Sequence, residues 1–114
     1  MNRVIEDEHY YINRYEVVND LVQFERVYMV DEYQFNDKTY EALGKVYEML
    51  PSYTGNQTTL PSWFGDEEKG DKYFITVSFE PSGLQFWGKL PTTDFLQWES
   101  KFHDLIKDFP FKYQ

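Results

Sequence analysis

Apolar and polar positions alternate most clearly over residues 73–80, where Tyr73, Ile75, Val77 and Phe79 share one face and Thr76, Ser78 and Glu80 the other. A period of two marks a strand with one side toward a core. Glu80-Pro81-Ser82-Gly83 then reads as a tight turn. Proline suits its first central position, and Gly83 takes the left-handed residue that closes a three-residue hairpin loop. The return strand, residues 84–90, sets Leu84, Phe86 and Leu90 on one face and Trp87 on the other. Beyond Pro91-Thr92-Thr93-Asp94 the period changes. Phe95, Trp98, Phe102, Leu105, Ile106 and Phe109 recur every three or four residues, the spacing of a buried helical stripe. Thr92 or Thr93 is the expected cap, Asp94 complements the helix dipole, and Pro110 stops the helix.

A second helix is expected over residues 37–50, capped by Asn36 or Asp37, striped by Tyr40, Leu43, Val46, Tyr47 and Leu50, and ended by Pro51. Gly44 weakens it by about 1 kcal/mol relative to alanine, a cost that close packing against another element would explain. In the first 35 residues Val17, Leu21, Phe24 and Tyr28 fit a helical spacing, while Val22, Phe24, Tyr28 and Val30 fit a strand. Richness in Val and Tyr favours two strands, near residues 10–18 and 21–30, turning at Asn19-Asp20. Residues 52–71 carry Gly, Pro, Asn, Thr and acids with little period and read as a long acidic loop, with a short strand over 59–63. The order of two strands and a helix, given twice, predicts a single α+β domain over 1–114. Its antiparallel sheet is made of two hairpins, with two amphipathic helices packed on one face.

Composition narrows the function. The chain has ten phenylalanines, ten tyrosines and three tryptophans, yet a formal net charge of -9 and no cysteine. Aromatics are the side chains that anchor one protein into another. A strong negative field speeds encounter with cationic surfaces and repels nucleic acid and anionic membrane. Asp and Glu outnumber Lys and Arg by 20 to 11, the wrong sign for polyanion binding. Without cysteine there are no disulfides and no thiolate metal sites, which suits a reducing compartment. The first eight residues lack the apolar core of a signal peptide, and the apolar run Val27-Tyr28-Met29-Val30 is far too short to span a membrane. The expectation is a soluble, cytoplasmic protein with no cofactor.

Catalytic chemistry finds little footing. His9 and His103 are the only histidines, and histidine is the usual base at neutral pH. His103 is expected on the solvated face of the last helix, and His9 lies among Glu6, Asp7 and Glu8. No nucleophile elbow, phosphate loop, dinucleotide fingerprint or zinc-protease motif is present. Asp66, Glu67, Glu68 and Asp71 crowd four carboxylates into six residues, but they lack the alternation of a calcium loop. The expectation is no enzyme and no metal site; paired carboxylates for glycoside cleavage remain an open alternative that spacing along the chain does not select.

Pro61-Ser62-Trp63-Phe64-Gly65-Asp66, Glu80-Pro81-Ser82-Gly83-Leu84 and Trp98 on the closing helix resemble small acidic immunity proteins of bacterial polymorphic-toxin systems. The resemblance implies an inhibitor that binds a cognate toxin, such as a nuclease, and covers its basic cleft. Trp63 and Phe64 would then be partner-binding anchors flanked by Asp66, Glu67, Glu68 and Asp71, unless they tuck the loop onto the core. A second candidate surface runs from Glu6 to Glu8 with Asp31 and Glu32. The alternative function is an adaptor or chaperone-like module for another basic protein. Neither reading fixes an oligomeric state.

Overall fold

The computed structural model describes residues 12–29, 35–54, 60–80, 83–107 and 109. Within them the chain forms β1 (Ile12–Val18), β2 (Leu21–Tyr28), α1 (Asp37–Met49), β3 (Ser62–Trp63), a 3-10 turn (Glu67–Lys69), β4 (Phe74–Glu80), β5 (Gly83–Pro91) and α2 (Thr92–Leu105). The strands make one antiparallel sheet in the order β1-β2-β5-β4-β3. Two hairpins therefore lie side by side, joined where β2 pairs with β5 over eight residues from Leu21↔Pro91 to Tyr28↔Leu84. The α+β class with helices on one face is as the hydrophobic pattern predicts.

The β1–β2 hairpin turns on Asn19 and Asp20, whose φ values are 53° and 65°. Two consecutive left-handed residues match the twist of the strands they join, and Asn and Asp tolerate that region. In β2, Val22, Phe24, Arg26 and Tyr28 point to the helix side, where they meet Leu90, Gly88, Phe86 and Leu84 of β5. Gly88 is obligatory there. A Cβ at that position would stand 2.4 Å from the Phe74 carbonyl oxygen and 3.0 Å from Phe24 Cε1.

Asn36 caps α1 by accepting the Thr39 amide at 3.0 Å. Leu43, Val46, Tyr47 and Leu50 are buried against the sheet. Phe95, Trp98, Phe102 and Ile106 do the same for α2. The centre of the core is aromatic. Phe86 lies 5.6 Å from Trp98, 5.0 Å from Phe102 and 6.3 Å from Tyr47, ring centre to ring centre.

Several expectations are corrected. Neither Thr92 nor Thr93 caps α2; Pro91 holds the cap position with no side-chain bond. Thr92 is used elsewhere: its amide and hydroxyl both donate to the Asp20 carbonyl, at 2.8 and 3.0 Å, and tie the helix start to the β1–β2 turn. Gly83 has the expected positive φ of 130° but sits inside the ladder, paired with Glu80. A Cβ there would collide with the Tyr28 carbonyl oxygen at 2.2 Å, so the glycine serves strand packing rather than loop closure. Phe79 leaves the core and is 54 % exposed at the end of β4, with its ring 5.4 Å from that of Tyr40 on α1. The space beside Gly44 is open: among the described residues, apart from its own helix backbone, no atom lies within 4 Å of a Cβ built on it.

Candidate functional site

Helices cover one side of the sheet; side chains of the other side converge on a shallow groove of about 570 Å³. Strand register decides its membership. Arg14 pairs with Glu25, Glu16 with Gln23, Gln23 with Lys89, Glu25 with Trp87 and Phe74 with Lys89, so all these side chains project away from the helices. Trp87 and Phe74 give the groove its apolar character, and its charged lining is mixed: Glu16, Glu25 and Glu67 with Arg14 and Lys89.

The groove's polar groups are held. Arg14 Nε lies 3.6 Å from Glu25 Oε1, and the Gln85 amide donates to the other oxygen of Glu25. The Trp87 indole donates to Glu67 Oε1 at 3.0 Å. That bond pins one edge of the indole to the 3-10 turn and leaves the ring half-buried in the groove.

The acidic segment is an ordered turn, with its carboxylates in different jobs. Asp66 is 6 % exposed and caps the 3-10 turn by accepting the Glu68 amide at 2.9 Å. Asp71 Oδ2 accepts the Asp66 amide at 2.8 Å and closes the loop from the far side. Gly70, at φ 85°, makes the exit. Gly65 lets the segment press onto the start of β4, since a Cβ there would stand 2.2 Å from the Tyr73 carbonyl oxygen. Glu67, Glu68 and Asp71 remain exposed, and Glu67 lines the groove.

Of the two expected anchors, Trp63 lies inside the core and Phe64 is half-buried against it. Trp63 is fully buried and donates its indole N–H at 3.0 Å to the Tyr47 carbonyl in the last turn of α1, which also accepts the Leu50 amide at 3.3 Å. Its ring lies 5.1 Å from Trp98 and 5.3 Å from Tyr47. Phe64 is half-buried against the same cluster, with a φ of 70°. Both residues tuck the loop onto the core. The aromatic that faces outward in their place is Trp87. Its position opposite Leu84, Phe86 and Leu90 in the alternation was the sequence signal for it. Residues 6–8 and 31–32, the second acidic surface considered, lie outside the described residues.

His103 is not solvated. Its Nε2 lies 2.7 Å from the Tyr28 hydroxyl, a hydrogen bond, and 3.9 Å from Glu99 Oε2. Glu99 also holds Arg26, at 2.9 Å from Nε and 3.4 Å from Nη2. This polar chain crosses between β2 and α2 on the helix side, away from the groove. Burial, and secondarily the neighbouring Tyr53, pushes the Tyr47 phenol well above the ordinary tyrosine range. Among the described residues no three His, Asp or Glu side chains are grouped as a metal site would need. No described helix is long and apolar enough to cross a membrane. Comparison of the chain with protein-family models, with curated proteins and with solved structures gives no match.

Proposed function

We propose that this protein is a non-enzymatic binding protein that docks a basic protein through the uncovered side of its sheet, and that it acts as the inhibitor in a toxin–immunity pair. The observation that carries the reading is the placement of Trp87. A half-buried indole lies in an open groove, fixed by Glu67 and lined by Glu16 and Glu25 together with Arg14 and Lys89. An aromatic anchor within a charged rim is the usual anatomy of a protein–protein contact. The overall charge of -9 favours a cationic partner. A basic nuclease cleft is such a surface, and covering it would block substrate without any chemistry by the inhibitor.

The test uses affinity capture from the native host with the whole protein as bait, comparing wild type, Trp87→Ala and the triple variant Glu67→Gln, Glu68→Gln, Asp71→Asn. Asparagine at 71 keeps an acceptor for the Asp66 amide, so the turn persists while its charge falls. The reading expects a basic protein retained by wild type, reduced by at least tenfold with either variant, and inhibited in its own activity when bound. Equal capture by all three baits would contradict the groove as the contact surface. Capture without inhibition would favour the adaptor reading.

A further inference from the structure

On the helix side of the sheet, opposite the groove, a pocket of about 430 Å³ lies between α1 and the ends of β4 and β5. Leu43 of α1, Val77 of β4 and Leu84 of β5 line it and are themselves buried. Tyr53 and Pro61 line it from the segment before β3, and that wall is fixed. Tyr53 bridges to Trp63, while the Pro61 carbonyl accepts the Val77 amide at 3.3 Å and the Thr76 hydroxyl at 2.9 Å. The volume falls in the range of small-molecule sites, about 300–1,000 Å³, which are mainly apolar with a few placed polar groups.

Two residues of α1 make this more than a gap in the packing. Gly44 stands in the helical row between Tyr40 and Glu48, and all three line the pocket. A glycine inside a helix costs about 1 kcal/mol relative to alanine. No close approach to another described element offsets that cost, since the space beside Gly44 is open. What the missing side chain provides is room in the pocket. The second residue is Tyr47, which is only 9 % exposed and also lines the pocket. Its hydroxyl meets no hydrogen-bond partner among the described residues. A buried phenol ordinarily has one. Burial, and secondarily Tyr53, keep this phenol protonated well beyond neutral pH, so it offers an O–H donor. Glu48 is exposed at the same row and sets a negative charge beside the pocket.

We propose that this pocket binds a neutral aromatic small molecule bearing a carbonyl or similar hydrogen-bond acceptor, its rings against Leu43, Val77 and Leu84 and its acceptor on the Tyr47 hydroxyl. The rings of Tyr47, Tyr53 and Phe79 around the pocket favour a flat aromatic ligand. The acceptor follows from the unbonded donor. An apolar side chain of a protein partner would seal the Tyr47 hydroxyl off from water without pairing it, which costs free energy. Glu48 selects against ligands that carry a carboxylate or phosphate. The site lies across the sheet from the groove and does not depend on the binding function proposed above.

The test titrates the whole protein with prodan, a neutral naphthalene ketone whose emission shifts to the blue in apolar surroundings, over about 1–100 µM. Wild type is expected to bind it saturably, one molecule per chain. Gly44→Leu places a side chain in the pocket at a position with open space around it, and should weaken binding by about tenfold or more. Tyr47→Phe removes a hydroxyl that makes no bond within the protein, and should weaken prodan binding by about three- to tenfold. The same naphthylamine without the ketone should bind wild type and Tyr47→Phe alike. Circular dichroism of each variant establishes that the fold is retained. No saturable binding by wild type, unchanged binding by Gly44→Leu, or a Tyr47→Phe variant that treats the two probes alike would each overturn the proposal. A wild type that ignores prodan while Gly44→Leu releases a captured protein would assign the pocket to a side chain of that partner, and overturn it too.

Discussion

Arg26 is 4 % exposed on the helix side of the sheet, with its guanidinium 5.1 Å from the Tyr15 ring centre and 5.5 Å from that of Phe95. Glu99 supplies its counter-charge. Removing one partner of a buried pair leaves the other charge unpaid. Glu99→Ala should therefore cost about 3–5 kcal/mol in urea unfolding, while Arg26→Met combined with Glu99→Leu should fall within about 1 kcal/mol of wild type or above it. Tyr47 gives a prediction in pH. Its phenol is raised in the folded state, so the unfolded chain releases that proton first. The contribution is complete below the unfolded tyrosine value of about 10 and is lost as pH rises above it. Tyr47→Phe should flatten the fall in stability above about pH 10, and an unchanged slope would contradict the burial argument. These side chains were hard to foresee. Arg26 stands within an apolar strand pattern, and nothing in the chain announces that Glu99, 73 residues away, will face it.

Elements were more legible than individual environments, and the reason is periodicity. The stripe from Phe95 to Ile106 names the buried side of α2, and Asn19-Asp20 names the first turn. Trp98 is 1 % exposed, so Trp98→Ala should destabilise the fold by about 3–5 kcal/mol, as calorimetry or urea melts would record. Local rules failed where tertiary contacts took the same residue for another purpose. Thr92 has a good capping side chain but spends it on the Asp20 carbonyl. Gly44 looked like a packing glycine, yet the space above it is open, so Gly44→Ala should stabilise α1 by about 0.5–1 kcal/mol. Gly88→Ala, by contrast, pushes a methyl into the Phe74 carbonyl and should destabilise markedly. The weakly periodic stretch over 52–71 hid most. Over residues 60–71 its order comes from the local caps made by Asp66 and Asp71 and from the burial of Trp63 against Tyr47 and Trp98, a long-range contact that no window of sequence contains.

For the whole molecule, a charge of -9 and a groove on the side of the sheet away from the described helices are the properties from which the functional reading follows. The acidic segment was visible in the sequence as a candidate surface, and the sequence paired it with Trp63, whose burial no local pattern reveals. Trp63 belongs to the core, and Trp87 faces the groove. Electrostatic steering makes a specific demand on kinetics, since it acts on encounter more than on the lifetime of the complex. The most direct measurement is the association rate constant with the captured partner, over a series of salt concentrations, for wild type and for the Glu67→Gln, Glu68→Gln, Asp71→Asn variant. The account predicts a wild-type rate that falls steeply with salt, and a variant that associates at least several-fold more slowly at low salt with a shallower dependence. Identical rates and identical salt slopes for the two proteins would contradict it.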